Sequence, residues 1–167
     1  NSSKFHHIIV NAPGVTYNLA SNNLYVNGNF TLQAGNFNQN GYTVNMGDGN
    51  GTDYMYVSGS AVYTIGANGT LKMGNNATVS VYDGGQFFAV GTDNANPAVI
   101  TRQLTGTYAF EVESLGNFAA QHYQFEYMNA NGIYLKDGAV LNSTYNLSDG
   151  VFSNGPAGGT FLTLENI

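Results

Sequence analysis

Cysteine is absent from this sequence of 167 residues, so no disulfide holds the chain and its fold must rest on packing alone. That suits a protein outside the cell without excluding the cytosol. Charge is the second scarcity. Only 8% of residues are charged, against roughly 25% in ordinary soluble domains. Cations are scarcer still, four Lys and Arg against ten Asp and Glu, for a net charge of −6. Phosphate binding needs clustered cations, so nucleic acid is excluded as a partner and anionic membrane surfaces are disfavoured. No apolar run approaches the roughly 20 residues of a membrane-spanning helix, so no membrane insertion is expected. A basic start followed by an apolar segment is also missing, which predicts a mature or trimmed chain if the protein is secreted. Helical periodicity is missing as well.

Asn, Gly, Thr, Ser and Tyr stand in place of the charges. With 43% hydrophobic and 13% aromatic residues the chain can fill a core, which argues against disorder. Its apolar residues alternate with polar ones. Leu24 and Val26, Phe30 and Leu32, Val44 and Met46, Leu71 and Met73, Phe110 and Val112, Ile133 and Leu135, and Leu162 and Leu164 each sit two apart. This is the period of a half-buried strand. The runs are three to six residues long. Asn27-Gly28, Asn40-Gly41, Asn68-Gly69, Gly84-Gly85 and Asn131-Gly132 mark tight turns between them. The sequence predicts an all-β chain.

Internal repetition selects a solenoid over a sandwich of hairpins. FEVESLGNF from Phe110, IYLKDGAVL from Ile133 and LTLENI from Leu162 align at offsets of 23 and 29 residues. Looser copies are LYVNG from Leu24, YTVNM from Tyr42 and LKMG from Leu71. One domain over 1–167 is expected, a right-handed parallel β-helix of about six or seven coils, each with three short strands. The long offset from Leu71 to Phe110 calls for an insertion at Gly91–Gln103.

The stretch YAFEVESLGNFAAQHYQFEYMNANGIYLKDGAVL, with FSNGPAGGTFLTLEN and the upstream LYVNGNFTLQAGNFNQNGYTVNM, resembles parallel β-helix repeats of large secreted bacterial surface proteins. Many of those carry a C-terminal sorting domain for the type IX secretion route. No sorting domain is recognised within these 167 residues. The resemblance implies an extracellular or cell-surface location in a bacterium and a structural or adhesive role. It implies no catalytic residue.

Candidate chemistry is sparse. Glu111 and Glu113 share the outward side of one strand, about 7 Å apart by strand rise, a separation that sugar hydrolysis can use; outward strand positions are, however, commonly polar. No enzyme is expected, and a carbohydrate-active or carbohydrate-binding β-helix is the alternative. His6 and His7 should face opposite ways on a strand, and His122 stands alone. The loop Asp48–Asp53 is rich in oxygen ligands but lacks the glycine and distal glutamate of a calcium-binding EF-hand loop. No cofactor and no metal is expected. Thr105-Gly106-Thr107 is too little of a Thr-x-Thr array for an ice-binding face. Most of the twelve Tyr are expected in the core or in ladders. Sequons occur at seven asparagines, Asn1, Asn29, Asn50, Asn68, Asn76, Asn142 and Asn146, where chance gives about three or four; these are candidate glycosylation sites.

Three structural expectations follow from the repeat. Phe110, Ile133 and Leu162 stack in one internal column, and Val112, Leu135 and Leu164 in the next. Glu113, Lys136 and Glu165 form an outward column of alternating charge. Phe5, Ile8 and Val10 at one end, with Phe161, Leu162 and Leu164 at the other, leave apolar edges for head-to-tail assembly. The expected partners are therefore copies of the chain or neighbouring β-helix coils, with surface polysaccharide as a further partner.

Overall fold

The computed structural model describes residues 4–166 and is all-β, a parallel solenoid of about six turns. The first coil carries β1 (Ile8–Asn18). The second carries β2 (Leu24–Val26) and β3 (Phe30–Asn38), and the third β4 (Thr43–Met46) and β5 (Tyr54–Ile65). In the fourth stand β6 (Thr70–Met73), β7 (Thr78–Val81) and β8 (Gln86–Val90). The fifth holds β9 (Ala98–Arg102), β10 (Tyr108–Val112) and β11 (Asn117–Gln121). The sixth holds β12 (Tyr123–Glu126), β13 (Met128–Leu135) and β14 (Val140–Ser148). Beyond it lie β15 (Val151–Ser153) and β16 (Leu162–Leu164).

These strands make three faces. Face one is a six-stranded sheet running β2, β4, β6, β9, β12, β15. Faces two and three belong to one ten-stranded sheet, because β1, β3 and β5 run round the corner between them without a break. Face two continues through β7, β10, β13 and β16, and face three through β8, β11 and β14. The corner is made by glycine. Gly35 in β3 and Gly59 in β5 have φ of +90° and +61°. A Cβ on either would stand 2.6 Å from a carbonyl oxygen of the coil below, that of Ala12 or Gln33. Only glycine meets both demands.

Stacking in register puts like side chains above like. On face two, Ile8, Phe30, Met55, Val79, Phe110, Ile133 and Leu162 are successive partners. Val10, Leu32, Val57, Val81, Val112, Leu135 and Leu164 form the adjacent column. Both columns expected at the C-terminal coils are thus present. Face three adds an aromatic column. Phe37 stacks on Tyr63 at 5.4 Å, Tyr63 on Phe87 at 5.2 Å, and Phe118 follows. A buried polar side chain needs partners. Gln39 is buried; its Oε1 accepts from the Tyr63 hydroxyl, and its Nε2 donates to the carbonyls of Tyr42 and Thr70.

Several expectations need correction. Gly91–Gln103 is not an insertion, since β9 within it is a rung of face one whose Ile100 pairs with Leu71. Leu24, Val44 and Leu71 are partners of one another on face one, so they are not earlier copies of the Phe110 repeat on face two. Runs are not all short; β1, β3 and β5 are 11, 9 and 12 residues long because each serves two faces. Only Tyr63, Tyr108 and Tyr123 among the tyrosines are buried. Phenylalanine fills the core instead, having no hydroxyl to satisfy.

Candidate functional site

Glu111 and Glu113 both point outward from β10, as alternation requires, and Lys136 at the end of β13 reaches both. Its Nζ lies 2.8 Å from Glu111 Oε2 and 2.7 Å from Glu113 Oε1. The Glu113–Lys136 half of the charge column is therefore present. Glu165 instead accepts a hydrogen bond from the Tyr134 hydroxyl at 2.9 Å, so the third member of that column does not meet Lys136. Burial alone would lower the Lys136 pKa, but the hydrogen bonds to Glu111 and Glu113 outweigh it and hold the ammonium above the ordinary lysine value. The Lys136 ammonium fills the space between the carboxylates that a scissile glycosidic bond would need.

At the corner between faces one and two, three turns of unequal length form a cleft. The loops Asp48–Asn50 and Gln103–Thr105 project, while Gly74-Asn75 of the coil between them stays short. The cleft has a volume of about 260 Å³. Leu104 on its rim is 79% exposed. Gln103 fastens the floor, its Nε2 donating to the carbonyls of Met46 and Gly47 at 2.9 Å. The carboxylates of the Asp48–Asp53 loop turn inward on their own backbone. Asp48 Oδ1 accepts from the Asn50 amide at 2.8 Å, and Asp53 Oδ2 from the Asp48 amide at 3.3 Å. Among the described residues no group of three or more His, Cys, Asp and Glu side chains is placed to hold a metal.

The histidines differ from expectation. His6 and His7 lie outside any strand and stack ring on ring at 4.2 Å rather than facing apart. His7 Nδ1 accepts the Asn29 amide at 2.9 Å. His122 Nδ1 sits 3.0 Å from Asn94 Oδ1. Three of the tyrosines expected in the core or in ladders gather outside on face two. Tyr54 and Tyr56 stack at 5.2 Å, and Tyr82 leans on Tyr56 at 5.7 Å. Their period-2 spacing was legible; their partner Tyr82, one coil away, required the register.

Of the residues expected at the ends, Ile8 and Val10 lie on face two, partly buried against the core. Phe5 does not continue their strand. It bridges Val26 on face one, because the chain turns at His6-His7. Leu162 and Leu164 lie on β16, and Phe161 precedes that strand, its ring stacked on Phe152 at 5.5 Å. Asn29, Asn50 and Asn76 occupy the corner between faces one and two on three successive coils, Asn68 lies on the turn from β5 to β6, and Asn142 and Asn146 lie on β14. Asn1 is outside the described residues.

No protein-family model matches the chain, and comparison with curated proteins and with solved structures likewise finds no match.

Proposed function

We propose that this chain is a structural module of an extracellular bacterial surface, extended along its axis by pairing at its terminal coils. The resemblance to β-helix repeats of type IX-associated surface proteins supports the location. The carrying observation is the state of the edges. Among the described residues, β1 pairs only with β3, while β14, β15 and β16 pair only with β11, β12 and β13. Each presents an unpaired ladder beside apolar side chains, with Ile9 71% and Leu164 60% exposed. Exposed ladders of this kind template further pairing. Seating β16 of one copy against β1 of the next would continue the face-two columns, Leu162 over Ile8 and Leu164 over Val10. A heterologous contact that does not close propagates as a fibre.

Electron microscopy and light scattering on the full chain test this. Rods of constant width that lengthen with protein concentration are expected, and Leu164→Glu should shorten them without unfolding the protein. A chain that stays monomeric at high concentration overturns self-assembly and leaves neighbouring coils of a longer chain as the cover. The corner cleft supports a second reading, an adhesive site for a neutral polysaccharide. Its lining carries the amides of Asn50, Asn75 and Gln103, the hydroxyl of Thr105 and the carboxylate of Asp48, with one apolar side chain, Leu104, on the rim.

A further inference from the structure

The asparagine side chains of this chain fall into two groups, those whose amide nitrogen is engaged and those whose amide nitrogen is free. Among the described residues, the asparagines whose Nδ2 donates to the protein include Asn36, Asn38, Asn40 and Asn45, which tie their coil to the one below. Asn22, Asn96 and Asn154 donate locally. None of these lies in a sequon. The Nδ2 of Asn29, Asn50, Asn68, Asn76, Asn142 and Asn146 donates to no acceptor among the described residues. The atom that a glycan would occupy is thus free at every described sequon and engaged at seven asparagines outside them.

Burial divides the six further. Asn50, Asn68, Asn76 and Asn146 are exposed, whereas Asn29 and Asn142 are half-buried. In the latter two the side-chain oxygen is also committed. Asn29 Oδ1 accepts the Tyr54 amide at 3.0 Å, and Asn142 Oδ1 accepts the Thr144 and Tyr145 amides at 2.9 and 3.1 Å. A half-buried amide whose oxygen is held in this way is fixed against the backbone rather than turned to solvent. Asn68 and Asn76 have φ of 61° and 58°, the left-handed conformation of a tight turn. Asn50 is presented by the Asp48 carboxylate, which holds its backbone amide.

We infer that Asn50, Asn68, Asn76 and Asn146 carry N-linked glycans and that Asn29 and Asn142 do not. The donor class is an oligosaccharide on a lipid diphosphate. The bond formed joins Nδ2 to the anomeric carbon, the bond broken is that carbon's link to the diphosphate, and the amide proton passes to a base of the transferase. A glycan on Asn50 would lay its first sugar in the corner cleft, against Asn75, Thr105 and Leu104. Sugar would also supply the hydration that an 8% charged surface lacks, on the flanks at Asn50, Asn68 and Asn76 and beside the open edge of β14 at Asn146.

The inference rests on the extracellular reading, so location and modification are measured separately. Protein from its native cells is digested and its peptides sequenced by tandem mass spectrometry; in parallel, intact cells are shaved with protease. Sugar mass on the peptides of Asn50, Asn68, Asn76 and Asn146, with unmodified Asn29 and Asn142, is the expected result. Unmodified peptides from protein that is shaved off the cells overturn the glycans and leave the location standing. Unmodified protein that resists shaving overturns both. Sugar confined to Asn29 or Asn142 overturns the assignment of sites.

Discussion

Phe118 and Leu141 are neighbours in one column of face three, yet Phe118 is fully buried and Leu141 only partly so. The same contrast separates Ile133 from Leu162 on face two. Chemistry does not account for it, since all four residues are apolar. What differs is the number of neighbours. An inner coil is covered from above and below, an outer coil from one side, and in a solenoid stability is close to a sum of such nearest-neighbour terms.

The largest test of this contrast charges the sealed part of a column. Ile133→Asp places a carboxylate between Phe110 and Leu162 with no partner, a cost beyond the marginal stability of most domains. Circular dichroism and analytical sedimentation should find no cooperatively folded protein, and a soluble, folded Ile133→Asp chain would refute the column. Truncation gives a graded version. Phe118→Ala should cost about 3–5 kcal/mol in denaturant unfolding, whereas Leu141→Ala should cost roughly 1–2 kcal/mol because much of its surface already meets water. Equal losses at the two sites would mean that β14 is covered as fully as β11.

How far the sequence carried depended on the face. Phe110, Ile133 and Leu162 were aligned correctly because each is followed, three residues on, by a charged residue just past the end of its strand, which pins the phase. Leu24, Val44 and Leu71 have the same alternation and were assigned to the wrong face. Period 2 states which side of a strand is buried but not which of three walls the strand belongs to. The corners of β3 and β5 were obscure for a related reason. A glycine within a strand reads as a break, whereas Gly35 and Gly59 let the strand continue round the bend. Candidate site chemistry was legible only in part. Glu111 and Glu113 could be placed on one side, but Lys136 meets both only because it stands one coil above, 23 residues from Glu113.

The smallest effect concerns that outer cluster. Because the folded-state pKa of Lys136 is raised, its contribution is fully present below the unfolded lysine value of about 10.4 and is lost as pH rises through the folded value. Both ion pairs are part-exposed, so Lys136→Met should cost only about 1 kcal/mol at pH 8. The gap between the two proteins should close in strong alkali. Urea melts of both across that range check the sign; a gap that widens with alkali would show that the ammonium contributes nothing.

The direction of the backbone ladders has a mechanical consequence. Every strand pair is parallel and joins one coil to the next, so the interstrand hydrogen bonds lie along the long axis. Tension along that axis loads them end-on and opens them one coil at a time, like a zip. The coil from Met55 to Val79 would release roughly 80 Å of chain as it unwound. Side chains that reach between coils, Gln39 to the Thr70 carbonyl and Gln103 to that of Met46, act as stitches across two of these seams. A sideways pull would instead shear whole ladders together and meet far higher resistance. Such a rod yields gradually when stretched and stays stiff when pushed from the side.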